Sequence, residues 1–194
     1  MNKTIENLAK AFIGESQARN RYNLYAKQAK KEGFEQIAGI FNETAEQEKQ
    51  HAKWDFTMMK EVMDKEGVKE EALNVEAEAP AVLGTTEENL QAAINGENYE
   101  HVTMYPEFAE QAEKDGYPDV AVRLRSIAKA EEHHEERYQK LLKEVKAGSV
   151  FKKNEKVWWF CRECGYRHFG EEPPKECPSC SHPQAYFQLK CEEY

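Results

Sequence analysis

The sequence predicts a mainly α protein: a four-helix bundle with one long crossover, followed by a small metal-binding module. Three observations carry this. Two pairs of long segments, rich in Ala, Glu, Gln and Lys, place apolar residues at helical period and break at single glycines. An internal repeat relates the first pair to the second. Near the C-terminus the chain changes character, to aromatics, prolines, turns and two Cys-x-x-Cys pairs.

The elements follow in order. Residues 4–31 and 35–65 read as long helices, and Gly33 between them makes an antiparallel hairpin. Residues 67–86 contain Gly67, Pro80 and Gly84, are weakly periodic, and read as the crossover. Thr85 and Glu88 have capping-box spacing and open a third helix at about 86–114. Asp115 and Gly116 break it. Pro118 suits the first turn of a fourth helix, about 118–146, which Gly148 ends. Residues 1–148 then form the bundle domain and 149–194 the cysteine domain.

The repeat is explicit. Y-A-K-Q-A-K-K-E-G-F at 25–34 resembles F-A-E-Q-A-E-K-D-G-Y at 108–117, an offset of 83. The same offset carries Tyr22 to Tyr105, Glu48 to Glu131 and His51 to His134. Gly14 and Glu15 match Gly96 and Glu97 at an offset of 82. One extra residue therefore lies between Glu97 and Tyr105. A helix that keeps both on its inner face must absorb it, most simply as a π-bulge. Pro106 removes a backbone donor in the same stretch. The alternative is a small register shift with a longer loop.

The net charge of −9 argues against nucleic acid or an anionic membrane surface as partner. No apolar run approaches the roughly 18–20 residues a membrane helix needs. The first residues lack the apolar stretch of a secretory signal. A cytoplasmic location is expected, and there paired cysteines suggest metal rather than disulfides.

The apolar stripe of each helix carries one glutamate. The first runs Leu8, Phe12, Glu15, Tyr22, Ala26, and the second Ile37, Phe41, Glu48, His51, Phe56, Met59. The third runs Leu90, Ile94, Glu97, Met104, Phe108, and the fourth Leu124, Ile127, Glu131, His134, Tyr138, Leu141. Two of the four add a histidine three residues on. This is the pattern of carboxylate-bridged dinuclear sites in helical bundles. Four buried carboxylates would repel and cost several kcal/mol each to desolvate. Two divalent ions supply the missing positive charge, and mixed oxygen and nitrogen donors suit iron or manganese.

Further polar residues stand near this set. Glu100 has Ala18 as its repeat counterpart. It reads either as a solvated glutamate or as a fifth carboxylate that binds in one redox state. Tyr22 and Tyr105 lie on inner faces, for core packing, for a hydrogen bond to a ligand carboxylate or for a redox role. His101 and His133 point off the stripe and are expected at the surface. In the tail, C-x2-C-x12-C-x2-C brings Cys161, Cys164, Cys177 and Cys180 to one tetrahedral metal. Spacing alone leaves iron and zinc open. Trp158, Phe160, Tyr166, Tyr186 and Phe187 are the expected miniature core. Cys191 is expected to be unliganded, and His168 and His182 lie outside the ligand set.

These segments resemble the rubrerythrin family over essentially the whole chain. G-E-S-Q-A-R-N-R-Y at 14–22, A-E-Q-E-K-Q-H-A at 45–52, G-E-N-Y-E at 96–100, M-Y-P-E-F-A at 104–109 and A-E-E-H-H-E at 130–135 are similar to its diiron motifs. C-R-E-C-G-Y and C-P-S-C-S-H-P are similar to its rubredoxin-type tail. The resemblance implies a ferritin-like bundle with two non-haem irons in a carboxylate-bridged site. It also implies a small β rubredoxin-like domain with one iron on four cysteines, zinc being a substitute. Glu15, Glu48, Glu97, Glu131 and His134 would be ligands, with Glu48 and Glu131 bridging. Glu100 and His51 would exchange on one iron, Glu100 when oxidised and His51 when reduced. The implied activity is reduction of hydrogen peroxide to water in oxidative stress defence, with Glu100, His51, Tyr22 and Tyr105 serving the chemistry. Electrons would come from a reductase or rubredoxin through the thiolate-bound iron. A homodimer or larger assembly is implied, head to tail or domain-swapped, so that one subunit's tail can serve another's diiron site.

Two other readings compete. Ferritin-like bundles also oxidise and handle iron, but storage needs no dedicated electron entry. A non-catalytic electron-transfer or zinc scaffold would leave the dinuclear ligand set without purpose.

Overall fold

The computed structural model describes residues 2–191. Helix α1 spans Lys3–Lys31, and the Asn2 side chain caps it by accepting from the Thr4 amide at 2.8 Å. Helix α2 spans Glu35–Glu66 and stops at Gly67, which adopts the left-handed conformation. The crossover follows as irregular chain. It is pinned to α1 where Gln17 Nε2 donates to the Glu78 carbonyl and the Tyr25 hydroxyl to that of Val82.

Helix α3, Thr86–Tyr99, opens with the expected capping box: Thr85 Oγ1 accepts from the Glu88 amide and Glu88 Oε2 from the Thr85 amide. The chain then forms a π-helix, Glu100–Met104, and resumes as α4, Tyr105–Lys114. The third expected helix is therefore one rod with a π-turn, and that turn absorbs the extra residue. Helix α5 spans Pro118–Lys146, with Pro118 at its start.

The bundle interior has two apolar halves. One holds Ile5, Leu8, Met59, Met104, Leu124 and Ile127; the other holds Tyr22, Ile37, Phe41, Leu90 and Tyr138. Each large side chain so buried contributes roughly 1.5–3 kcal/mol. Between the halves lies a polar layer in which Glu15, Glu48, Glu97, Glu131 and His134 are buried.

Several stripe positions need correction. Phe56 is 45% exposed and packs on Phe12 at the surface, with ring centroids 5.2 Å apart. Five residues beyond His51 is the wrong rotation for an inner face; four residues beyond is Asp55, which is fully buried. In α5 the inward residue is Leu142, while Leu141 is half-buried. Phe12 and Phe108 are also half-buried.

The tail is a three-stranded antiparallel sheet of β1 (Val157–Cys161), β2 (Arg167–Gly170) and β3 (Phe187–Leu189), in the order β2-β1-β3. Trp159 and Phe187 fill its core with Cys161 and Cys177. Trp158, expected inside, is 48% exposed and packs on Phe169 instead, because strand alternation turns its neighbour Trp159 inward. The tail rests on the end of the bundle nearest the α1–α2 turn. Phe151 stacks on Phe34, and Arg162 lies so close to Gly39 that an added Cβ would fall 2.5 Å from Nη2. Among the described residues no helix is long and apolar enough to cross a membrane.

Both cysteine pairs turn the same way. The amide of Gly165 returns to the Cys161 carbonyl and that of Ser181 to the Cys177 carbonyl, each at 2.9 Å. Both residues are left-handed, at φ 76° and φ 57°. Gly165→Ala is expected to cost the metal-loaded tail about 1–2 kcal/mol, and Ser181→Gly to stabilise it. Thermal loss of metal–thiolate absorption measures both.

Candidate metal centres

The four helices bring their polar residues together at mid-bundle. Ligand atoms of Glu15, Glu48, His51 and Glu131 lie within 4.8 Å of one another, and so do those of Glu48, Glu97, Glu131 and His134. Glu48 and Glu131 belong to both groups. His51 Nδ1 is 2.9 Å from Glu48 Oε2 and 2.7 Å from Glu131 Oε1. His134 Nδ1 is 2.8 Å from Glu131 Oε2, 3.2 Å from Glu48 Oε1 and 3.4 Å from Glu97 Oε2. Donor atoms about 2.1 Å from one ion, at right angles, would lie about 3 Å apart.

Hydrogen bonding leaves this layer incomplete. Glu15 Oε2, Glu48 Oε1, Glu97 Oε2, both oxygens of Glu131 and His134 Nδ1 are buried without a hydrogen-bond partner. Such orphans cost about 1–3 kcal/mol each, and more when charged. Burial, reinforced by the neighbouring carboxylates, pushes Glu15 and Glu100 well up and Glu97 up to about 8. Burial opposes charge on the imidazoles too, yet the carboxylates hold His51 up at about 10 and His134 at about 12. Burial would also raise Glu48, but the imidazoles of His134 and His51 beside it outweigh burial and lower this carboxyl. The layer therefore has the charge and the free lone pairs that two divalent ions would satisfy. The donor set of carboxylates and imidazoles fits a diiron pair.

Neighbouring side chains orient the donors. Tyr22 donates to Glu97 Oε1 and Tyr105 to Glu15 Oε1, leaving the other oxygen of each carboxylate free. Gln47 Oε1 lies 3.0 Å from His134 Nε2; a proton on that nitrogen leaves Nδ1 as the ligand atom. Sequence reading passed over Gln47, which follows no stripe, and Asp55, which does follow it.

Glu100 is the first residue of the π-helix. It is buried but outside both ligand groups. It lines a cavity of about 290 Å³ with Gly14, Gly96, Tyr99, Met104 and Arg21, roofed by crossover residues 76–80. His133 is exposed, as expected. His101 is not: its side chain is only 18% exposed, and Nε2 lies 2.6 Å from Glu135 Oε2. Asn98 Nδ2 donates to the same oxygen and Gln139 Nε2 to the other, so Glu135 ties α5 to Asn98 just before the π-helix and to His101 within it.

In the tail, Cys161, Cys164, Cys177 and Cys180 converge without a disulfide. Sγ separations are 3.8 Å for Cys161–Cys180 and 3.6 Å for Cys164–Cys177. Four thiolates about 2.3 Å from a tetrahedral ion lie about 3.8 Å apart, so the set fits one metal. The Tyr166 amide leads the donors that hold the Cys164 thiol down at about 6. Cys191 is exposed and outside the cluster. His182 packs on Tyr186, with Nδ1 3.2 Å from the Cys180 carbonyl oxygen.

Comparison with known proteins agrees with both centres. The rubrerythrin family model matches residues 6–142, and the rubrerythrin rubredoxin-like domain matches 159–188. A Methanocaldococcus jannaschii protein named as a rubrerythrin is 57% identical over 195 residues, covering all of this chain and 96% of its own. Rubrerythrin-1 of Clostridium acetobutylicum is 50% identical, over 99% of this chain and 96% of its own. The fully reduced, all-ferrous structure of nigerythrin is 31% identical with a TM-score of 0.62, over 96% of this chain and 86% of that one. With a diiron ligand set in a helical bundle and four thiolates in a rubredoxin-like tail, this chain belongs to the rubrerythrin family.

Proposed function

We propose that the protein reduces hydrogen peroxide to water, with residues 1–148 performing the chemistry and 149–194 feeding it electrons. The observation that carries this reading is the pairing of a dinuclear ligand set with a four-thiolate centre on one chain. Glu15, Glu48, Glu97, Glu131 and His134 would hold the iron pair, Glu48 and Glu131 from between. When bound and reduced, that pair supplies two electrons to one O–O bond. Cys161, Cys164, Cys177 and Cys180 would hold the single iron that refills it from a reductase or rubredoxin.

The protein's own residues set the conditions. Tyr22 and Tyr105 spend their protons on Glu97 and Glu15 and so keep each carboxylate in one orientation. His51 aims Nδ1 between Glu48 and Glu131, while Glu100 stands in the cavity wall. That disposition supports the exchange in which His51 serves the reduced site and Glu100 the oxidised one. The cavity beside Glu100, about 290 Å³, has room for a molecule as small as hydrogen peroxide. The tail sits beyond the bundle end, and at about 1.5 Å per residue Glu48 lies roughly 14 Å along α2 from its seat at Gly39. This separation supports a head-to-tail dimer in which the tail of one subunit serves the diiron site of another.

Mixing the reduced, iron-loaded protein with peroxide and with oxygen tests the function. Peroxide is expected to oxidise the diiron pair much faster. Faster oxidation by oxygen, with ferrous iron consumed beyond the bound pair, would establish a ferroxidase instead. Glu100→Ala is expected to keep its iron while slowing turnover by at least ~10-fold, about 1.4 kcal/mol of barrier. Gly96→Leu grows a side chain into open space and should slow peroxide entry by ~10-fold, without loss of iron or of thiolate absorption. Chains lacking the four cysteines, mixed with chains carrying Glu48→Ala, should regain turnover if electrons cross between subunits. No recovery would restrict transfer to one chain.

A further inference from the structure

Glu135 is a buried carboxylate of a different kind from those at the site. It follows His134 on α5, is 8% exposed, and lies outside both ligand groups. Both its oxygens have partners. Oε1 accepts from Gln139 Nε2 at 2.6 Å, one turn along the same helix. Oε2 meets two groups from the chain opposite, Asn98 Nδ2 at 3.1 Å and His101 Nε2 at 2.6 Å. Such partners offset the cost of taking a carboxylate out of water. The peroxide reaction makes no use of it.

Its two partners across the helix gap stand on either side of Glu100. Asn98 is in the last turn of α3, and His101 is the second residue of the π-helix. Glu97 and Glu100, three residues apart, are both buried at the site. Asn98 and His101, also three apart, stand one residue further round and meet α5. A grip on the second pair therefore fixes the rotation of the first. The π-turn needs this constraint. Its hydrogen bonds are one residue wider than those of an α-helix, as in the Tyr105 amide to the Glu100 carbonyl. Exchanging that pattern step by step moves the extra residue along the helix, and a slip of one residue turns Glu100 by about 100°. The first hairpin offers the comparison. It has no π-turn, and the repeat counterparts of Glu135 and Asn98 are Ala52 and Ser16. Ser16 bonds only within its own helix, to the Phe12 carbonyl. The grip and the π-turn occur together, in one hairpin.

We propose that Glu135 is a latch on the π-turn, gripping Asn98 and His101 so that Glu100 stays in the cavity wall beside the diiron ligands. Glu135 is a positioning residue, acting through the backbone that carries Glu100. The inference rests on the reading in which Glu100 serves the oxidised site and His51 the reduced one. On that reading the Glu100 side chain swings between two positions while its backbone stays still, and the latch holds the backbone. One ring N–H on His101 is enough for the grip, so no change of charge is involved.

The test uses the full, iron-loaded chain. Hydrogen–deuterium exchange by mass spectrometry in peptides covering 98–105 is expected to be ~10-fold faster in Glu135→Ala, with the α1–α2 hairpin unchanged. Glu135→Gln keeps an acceptor at the same place and should stay within ~3-fold of the wild-type rate. Iron content should hold in Glu135→Ala while peroxide turnover falls ~10-fold. Its Mössbauer spectrum should change in the oxidised state and match the wild type in the reduced state, which uses His51 instead. Wild-type exchange in Glu135→Ala overturns the latch, and so does equal exchange in the Gln and Ala variants. If Glu135→Ala fails to load iron, Asn98→Ala combined with His101→Leu removes the same grip from the other side and must speed the same peptides. Glu100→Ala separates the latch from the reading beneath it. A changed oxidised spectrum in Glu100→Ala but not in Glu135→Ala overturns the latch. A wild-type oxidised spectrum in Glu100→Ala itself refutes binding of Glu100 to oxidised iron, while the exchange rates still report the grip.

Discussion

Everything in this molecule depends on burying negative charge at the middle of a helical bundle. Five glutamates, Glu15, Glu48, Glu97, Glu100 and Glu131, lie below a tenth exposure in one layer, with Asp55 beside them. Hydrophobic burial above and below cannot stabilise that layer; it only excludes the water that would otherwise solvate it. Two histidines and two tyrosines compensate part of the charge, and the unsatisfied oxygens mark what remains. The apolar halves and the polar layer are thus complementary. The halves hold the helices in register, and the register makes the carboxylates converge.

The tail solves a different problem with the same means. A module this small has little core, here Trp159, Phe187 and two of its own metal ligands. Metal binding and folding are then one process. The bundle could exist as a helical hairpin pair before its ions arrive, because its two apolar halves are complete without them. The two centres should differ in how far the surrounding chain depends on metal.

Much of this was legible in the sequence because helices repeat. The glutamates and histidines follow fixed spacings within a segment, and the change of offset from 82 to 83 located the π-helix to within a few residues. The four cysteines were legible because their spacing has few other uses. Asp55 was legible in principle but was lost when the stripe was continued through Phe56, one residue too far round the helix. The contacts of Glu135 with His101 and Asn98, and of Gln47 with His134, were not legible. They join residues on different helices, whose relative height depends on packing rather than on spacing in one segment. The seat of the tail against Gly39 was hidden for the same reason.

The π-helix gives the molecule a handedness of chemistry. Two hairpins related by repetition would build a site with two equivalent ends, and neither ion would have reason to behave differently from its neighbour. A single additional residue in one hairpin removes that equivalence. It places Glu100 at the cavity wall of one hairpin, where the other has only Ala18. The pair thereby acquires a front and a back. A near-symmetric scaffold thus becomes a directional one, with the cavity and the additional carboxylate on the same side.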